Sequence, residues 1–236
     1  MGVDFSITSP SITILSCNNQ SRDCVATQTY NTIGDLTVGE LVGVDSIMIS
    51  QNKKQCLNDA VRLKYDNIEW HFHLLEFEET KTLYPELRYQ RITQKLFNKM
   101  IELIGNDEDG EYVHIAIEDY SFGSNGRLTD IAECVSVFKQ MCYNHFKKPM
   151  KLLAPSTIKK HFTKKGNANK ILMYRTLLEH TNNIDIREKI NNIKHFDLNN
   201  PKCCIPAPLS DVVDSLACAC TCLYVLYVQN ITQKDT

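Results

Sequence analysis

Gly2-Val3-Asp4-Phe5-Ser6-Ile7, then Ser9-Pro10-Ser11, then Ile12-Thr13-Ile14-Leu15-Ser16-Cys17 is the stretch whose reading decides the fold class. Val3, Phe5 and Ile7 alternate with Asp4 and Ser6, the period of two of a β-strand. Ser9-Pro10-Ser11 carries turn chemistry, and Ile12, Ile14 and Cys17 resume the pattern on a return strand. A hairpin is therefore predicted, with an acid lodged in its first strand. Aspartate is depleted in strands. A carboxylate at the centre of a sheet costs on the order of several kcal/mol unless it is paired or metal-bound.

Outward from the hairpin, residues 18–83 are the hardest to read. Ser46-Ile47-Met48-Ile49-Ser50 and Trp70-His71-Phe72-His73-Leu74-Leu75-Glu76-Phe77 each predict a strand, and the polar stretch between them predicts none. The period then changes. Ile92, Leu96, Met100 and Ile104 recur every four residues, predicting an amphipathic helix over 87–103 that Gly105 stops. Val113, Ile115 and Ile117 form the core face of a further strand, and His114, Ala116 and Glu118 form its other face. A loop over 120–127 leads into a helix marked by Ile131, Cys134, Val135, Phe138 and Cys142. Lys151-Leu152-Leu153-Ala154 reads as a short strand closed by Pro155, with Ser156 capping a brief helix. Two more helices are expected, over 169–180 and from 208–210 to about 228. Such alternation indicates an α/β domain with a mixed sheet.

At 236 residues and 27.0 kDa the chain is expected to form one domain over 1–236, with 18–83 a variable insertion or third-strand region. The net charge of −2 says nothing in favour of nucleic acid, but its distribution does. Residues 134–178 hold ten Lys or Arg and no Asp or Glu, after an acidic loop with Asp107, Glu108, Asp109 and Glu111. That segregation supplies either a basic face for phosphates or an ordinary solvated surface. The ten cysteines include no C-x-x-C pair, and Cys218, Cys220 and Cys222 fall in an apolar stretch. Free thiols in a reducing, intracellular setting are expected, rather than zinc or disulfides. Asp4 inside the first apolar run argues against a secretory signal. The apolar run 216–228 falls short of the roughly 20 residues that span a bilayer, so no membrane partner is expected.

Besides Asp4, acids stand out in two places. Glu118 and Asp119 end the strand over 113–117, and strand ends in α/β sheets are where ligands bind. For Glu118 taken alone, an ordinary exposed loop acid is the better explanation. Asp211 and Asp214, three residues apart, share one face of the last helix. Acids in a first helical turn also stabilise the helix dipole. However, Val212, Val213, Leu216 and Ala217 make the helix apolar almost all round, so Asp214 is expected to be shielded. Four clustered carboxylates with no positive partner in these segments would repel one another. Mg²⁺ or Mn²⁺, hard cations suited to oxygen ligands, would resolve that. Spacing alone does not bring the four acids together.

Five motifs in order add to this reading. They are Gly2-Val3-Asp4-Phe5-Ser6, Ile117-Glu118-Asp119-Tyr120-Ser121-Phe122-Gly123, and Gly123-Ser124-Asn125-Gly126-Arg127 running into Asp130-Ile131-Ala132-Glu133. The other two are Ala154-Pro155-Ser156-Thr157-Ile158-Lys159-Lys160 with Lys164-Lys165-Gly166-Asn167-Ala168-Asn169-Lys170, and Ser210-Asp211-Val212-Val213-Asp214-Ser215-Leu216. Over residues 1–17 and 87–223 the chain resembles the RuvC-type Holliday junction resolvases (crossover junction endodeoxyribonucleases) of the RNase H-like superfamily. The phage and large DNA virus versions are the most similar. The resemblance implies an RNase H-like mixed five-stranded sheet flanked by helices, with an insertion after the first hairpin. It implies that Asp4, Glu118, Asp211 and Asp214 are the catalytic, metal-binding acids, holding two Mg²⁺ ions, with Mn²⁺ able to substitute and Asp4 bridging the pair. It implies a homodimer, without a nucleotide cofactor, that nicks opposed strands of four-way or other branched DNA, in the cytoplasm or at the site of DNA replication in a host cell. Lys164, Lys165 and Lys170 match its basic DNA-binding segment, with Lys159, Lys160 and Asn167 beside them, and Gly123, Ser124 and Arg127 offer further phosphate contacts. The alternatives are a related nuclease acting on flaps or forks, and a junction-binding protein without catalysis.

Weaker signals remain. His71 and His73 share a strand face at a possible metal-ligand spacing, but no Cys or third His stands nearby. Tyr120 and Phe122 are placed either to stack at a junction or to pack in a core.

Overall fold

The computed structural model describes residues 1–5, 10–17, 41–50, 62–65, 68–76, 84–105, 113–119, 128–181, 197–200 and 204–234. The hairpin is present. β1 (Gly2–Asp4) pairs antiparallel with β2 (Ser11–Cys17), Val3 opposite Ile12 and Asp4 opposite Ser11. On the other side of β2 lies β3 (Leu41–Ser50), also antiparallel, with a register shift between Ser16 and Cys17. β4 (Arg62–Tyr65) and β5 (Ile68–Glu76) follow, β5 running parallel to β3 and β4 antiparallel to β5. β6 (Ala116–Glu118) runs parallel to β1, and β7 (Lys151–Leu153) parallel to β6.

Among the described residues the sheet thus has seven strands, in the order β4-β5-β3-β2-β1-β6-β7. The mixed α/β class holds, and the five strands implied by the resemblance are β3-β2-β1-β6-β7. Among its described residues the region 18–83 contributes three strands rather than the two the sequence pattern predicts, β5 and β4 extending the sheet beyond β3. β4 escapes the sequence pattern because it is short: Arg62-Leu63-Lys64-Tyr65 alternates charged and apolar residues over only four positions, inside a polar stretch.

Helices cover both faces. α1 (Pro85–Ile104) and α2 (Leu128–Phe146) bury Ile92, Leu96, Met100 and Phe138 against Val3, Ile12, Ile47 and Ile117. α1 ends at Gly105, whose φ of 75° suits glycine and whose N–H reaches Ile101 O at 3.0 Å. On the opposite face lie α3 (Pro155–Thr163), α4 (Lys170–His180) and α5 (Leu209–Lys234), over Val44, Met48, Trp70, Phe72 and Ala116. Ser156 does not cap α3: Ala154 takes the N-cap position, and Pro155 begins the helix with its φ already set. Asn169 caps α4, its Oδ1 accepting from Leu172 N at 2.9 Å.

α5 runs further than the sequence pattern suggests. Its apolar segment Leu209–Leu226 is 18 residues, long and apolar enough to cross a bilayer by composition, yet 72% of it is buried inside the fold. Every residue from 211 to 222 is buried, so α5 is the core helix of this face. Each fully buried Val or Leu on it contributes roughly 1.5–3 kcal/mol.

Its fit depends on Gly2. A Cβ at that position would lie 2.0 Å from Ala219 N, 2.3 Å from Ser215 O and 2.6 Å from Cys218 C. All three atoms are helix backbone and cannot yield without moving α5. Gly43, by contrast, has open room, its nearest neighbour Ser16 Cβ at 3.7 Å. Gly2→Ala is accordingly expected to cost more than about 3 kcal/mol in urea denaturation. Gly43→Ala should change stability by less than about 1 kcal/mol.

Candidate active site

Strand alternation and register bring two of the acids together. Gly2 faces α5, so Asp4, two residues on, faces the same side. Ala116 packs in the α5 core, so Glu118 is on that side as well. Gly2 pairs with Ala116 and Val3 with Ile117, and the same offset sets Asp4 beside Glu118 at the carboxyl ends of two parallel strands. α5 supplies the other two from its amino-terminal part, where Asp211 and Asp214 are buried, 8% and 6% exposed.

The electrostatics follow from this proximity. The Asp4 carboxyl is pushed up to about 8, first by burial, then by Asp211 and Glu118, with Lys170 opposing. Burial also raises Glu118, against the pull of Lys170 and Lys159. Asp214 itself is ion-paired: its Oδ2 meets Lys170 Nζ. Ser210 Oγ donates to Asp211 Oδ1 at 3.4 Å.

The segments that carry the acids hold no cation of their own, but a different segment supplies one: Lys170 reaches Asp214 from the first residue of α4. The motif pattern assigns this lysine to DNA alone, because nothing in the sequence ties it to Asp214. Among the described residues, no three His, Cys, Asp or Glu side chains close on one point as a finished metal cage would. The donor set still suits a hard divalent cation: carboxylate oxygens, that of Asp4 pushed up to about 8 by burial and then by its acidic neighbours, around a position where an ammonium group already stands.

A further group escapes a reading of the sequence. A chain of buried hydroxyls crosses the sheet under α5. The Trp70 indole N–H donates to Ser46 Oγ at 3.0 Å, and Ser46 Oγ lies 2.9 Å from Thr13 Oγ1. Ser215 Oγ is 2.8 Å from both Thr13 Oγ1 and Ser11 Oγ. Ser215 follows Asp214, and Ser11 is opposite Asp4, so the chain ties the acid-bearing turn of α5 to the strand beside Asp4. Its signal in the sequence is Ser11, Thr13 and Ser46 occupying inward positions that would otherwise be apolar.

The other predicted residues divide. Lys159 lies near Glu118, and the exposed Lys160, Lys164, Lys165 and Asn167 flank it along α3 and the turn into α4. Lys164 ends α3 in the left-handed conformation, φ 66°. Gly123, Ser124 and Arg127, with Tyr120 and Phe122, lie outside the described residues. His71 and His73 belong to the opposite face of the sheet from the acids, since Trp70 and Phe72 between them face α5. His73 Nε2 is 2.7 Å from Asp45 Oδ1 and His71 Nε2 is 3.3 Å from Glu69 Oε2, ordinary strand pairs.

No family model matches the chain, and no curated protein matches it. Among solved structures it is similar to RuvC of Thermus thermophilus, at 12% identity and TM-score 0.48, over 97% of this chain and 94% of that one. T. thermophilus RuvC in complex with a Holliday junction substrate is similar over the same shares, at 10% identity and TM-score 0.47.

The raised carboxyls fix a pH dependence. Asp4 goes from 3.8 to about 8 on folding, so between those values the unfolded chain has lost a proton that the metal-free fold retains. The contribution of Asp4 to stability is therefore greatest below 3.8 and is lost as pH rises toward 8, and Glu118 acts in the same direction. In EDTA, the melting temperature of Asp4→Asn relative to wild type should rise steadily from pH 5 to pH 8. A difference independent of pH would contradict the buried acid cluster.

Proposed function

We propose that this chain is a divalent-metal-dependent endonuclease that nicks branched DNA, four-way junctions above all, acting as a homodimer on opposed strands. The observation that carries the reading is Asp4 set beside Glu118 at adjoining strand ends, close to the buried Asp211 and Asp214 of α5, a concentration of acids to which a divalent cation would add positive charge. The motif order in the sequence supports the RuvC-type assignment, and the affinity to phage and large DNA virus members rests on those motifs alone.

Asp4, Glu118, Asp211 and Asp214 would hold Mg²⁺, with Mn²⁺ able to take its place. Bound there, such a cation supplies a water of lowered pKa and charge for the leaving oxygen. The protein's own groups do the rest. The sheet and the hydroxyl chain fix the backbone that carries these carboxylates, which would hold the cation against an incoming phosphate. Lys159 beside Glu118, with Lys160, Lys164, Lys165 and Asn167 along α3 and its turn, offers a run of donors to the DNA backbone. Contacts of that kind position DNA without reading its sequence.

With Mg²⁺, purified protein is expected to nick opposed strands of a synthetic four-way junction. Asp4→Asn should lower the rate by more than about a hundredfold with circular dichroism unchanged, since even outer partners of metal ligands cost 10–100-fold. A panel of flaps, forks and junctions ranks the substrates. Tight junction binding with no nicking of any branched DNA, in Mg²⁺ or Mn²⁺, would leave a binding protein and sink the nuclease reading. Replacing Lys164 and Lys165 with Ala should reduce the salt dependence of DNA affinity by a slope of roughly 2, about 1 for each phosphate no longer neutralised.

A further inference from the structure

Lys170 is oddly placed for a lysine. It is the first residue of α4, where the helix dipole disfavours positive charge, and that helix has no acid in its first turn. Its side chain is half exposed, yet its ammonium contacts Asp214, whose side chain is 9% exposed. The same ammonium acts on Asp4 and on Glu118. One flexible cation thus serves three acids drawn from β1, β6 and α5, while its own helix gains nothing from it.

We propose that Lys170 is the internal counter-ion of the acid cluster, holding Asp214 until a divalent cation displaces it. This rests on the reading of the acids as a metal site. The fixed member of the pair is Asp214, anchored on the buried face of α5. The member able to leave is Lys170, whose stem reaches solvent and whose release requires only a rotation of its own side chain. Metal and lysine compete for one carboxylate, so the lysine weakens metal affinity while it protects the metal-free fold from the repulsion of its own acids. Once displaced, the ammonium stands at the rim of the site, beside Lys159 and the α3 turn, free to meet a phosphate. Metal uptake and DNA binding are then coupled through one side chain, and the coupling is reciprocal.

The test is Mn²⁺ binding followed by the electron paramagnetic resonance of free Mn²⁺, together with melting temperature, for wild type, Lys170→Met, Lys170→Arg and Asp4→Asn. Lys170→Met keeps the length of the stem and removes the charge. It should bind Mn²⁺ roughly fivefold more tightly than wild type, about the factor an ion pair of this exposure supplies. It should also melt lower than wild type in EDTA and gain more on adding Mn²⁺. A purely structural lysine would lower both melting temperatures alike. Lys170→Arg, which keeps the charge, should stay close to wild type. If Asp4→Asn loses Mn²⁺ binding while Lys170→Met binds it no more tightly than wild type, the counter-ion role is overturned and the metal site stands. If neither wild type nor Lys170→Met takes up Mn²⁺, both fall together.

Discussion

Where α5 crosses β1, Gly2 presents no side chain, and helix backbone fills the volume a Cβ would need. This contact governs the rest of the structure. A helix that touches a strand backbone to backbone has little freedom in height or position along it, so the place of its amino-terminal turn is set. Ser215, bonded to Ser11 and Thr13, then fixes its rotation. Height, position and rotation together bring Asp211 and Asp214 to the strand ends that carry Asp4 and Glu118. The apolar surface of α5 supplies the energy for this seat, while the glycine and the hydroxyls supply its geometry.

The same seat creates an electrostatic cost. Acids brought out of water beside one another resist ionisation, which is why the Asp4 carboxyl rises to about 8. The fold answers with cations from elements distant in sequence: Lys170 on Asp214, and Lys159 near Glu118. α3 and α4, which bring them, pack on the same face of the sheet as α5. The site is thus half balanced by the protein itself, and the remaining deficit is what would make it attractive to a divalent ion.

Strong periodicity makes much of this legible. The hairpin, the helix closed by Gly105, the strand ending on Glu118 and the long apolar last helix all lie where the pattern puts them. β4 does not, since four residues are too few for their alternation to stand out from the polar stretch around them, and Ser156 is displaced from its cap by the preference of Pro155 for the first helical position. Asp4 is conspicuous as an acid inside a strand. Glu118 and Asp211 stand out less, because each also has an ordinary explanation at a strand end or a helix start. The hydroxyl chain goes unread because serine and threonine are tolerated at so many positions that none draws notice alone.

By itself the sequence determined the α/β class, which residues face inward, and the candidates for the site, because side-chain period and local chemistry are properties of neighbouring residues. It could nominate four carboxylates but not join them. Tertiary structure decided that Asp4 and Glu118 share one side of parallel strands, that α5 lies close enough to add its two acids, and that Lys170 belongs among them. Those are distances between segments far apart in the chain. They follow from packing, from the absent side chain at Gly2 and from the burial of charge, and none of these is written in any single stretch of residues.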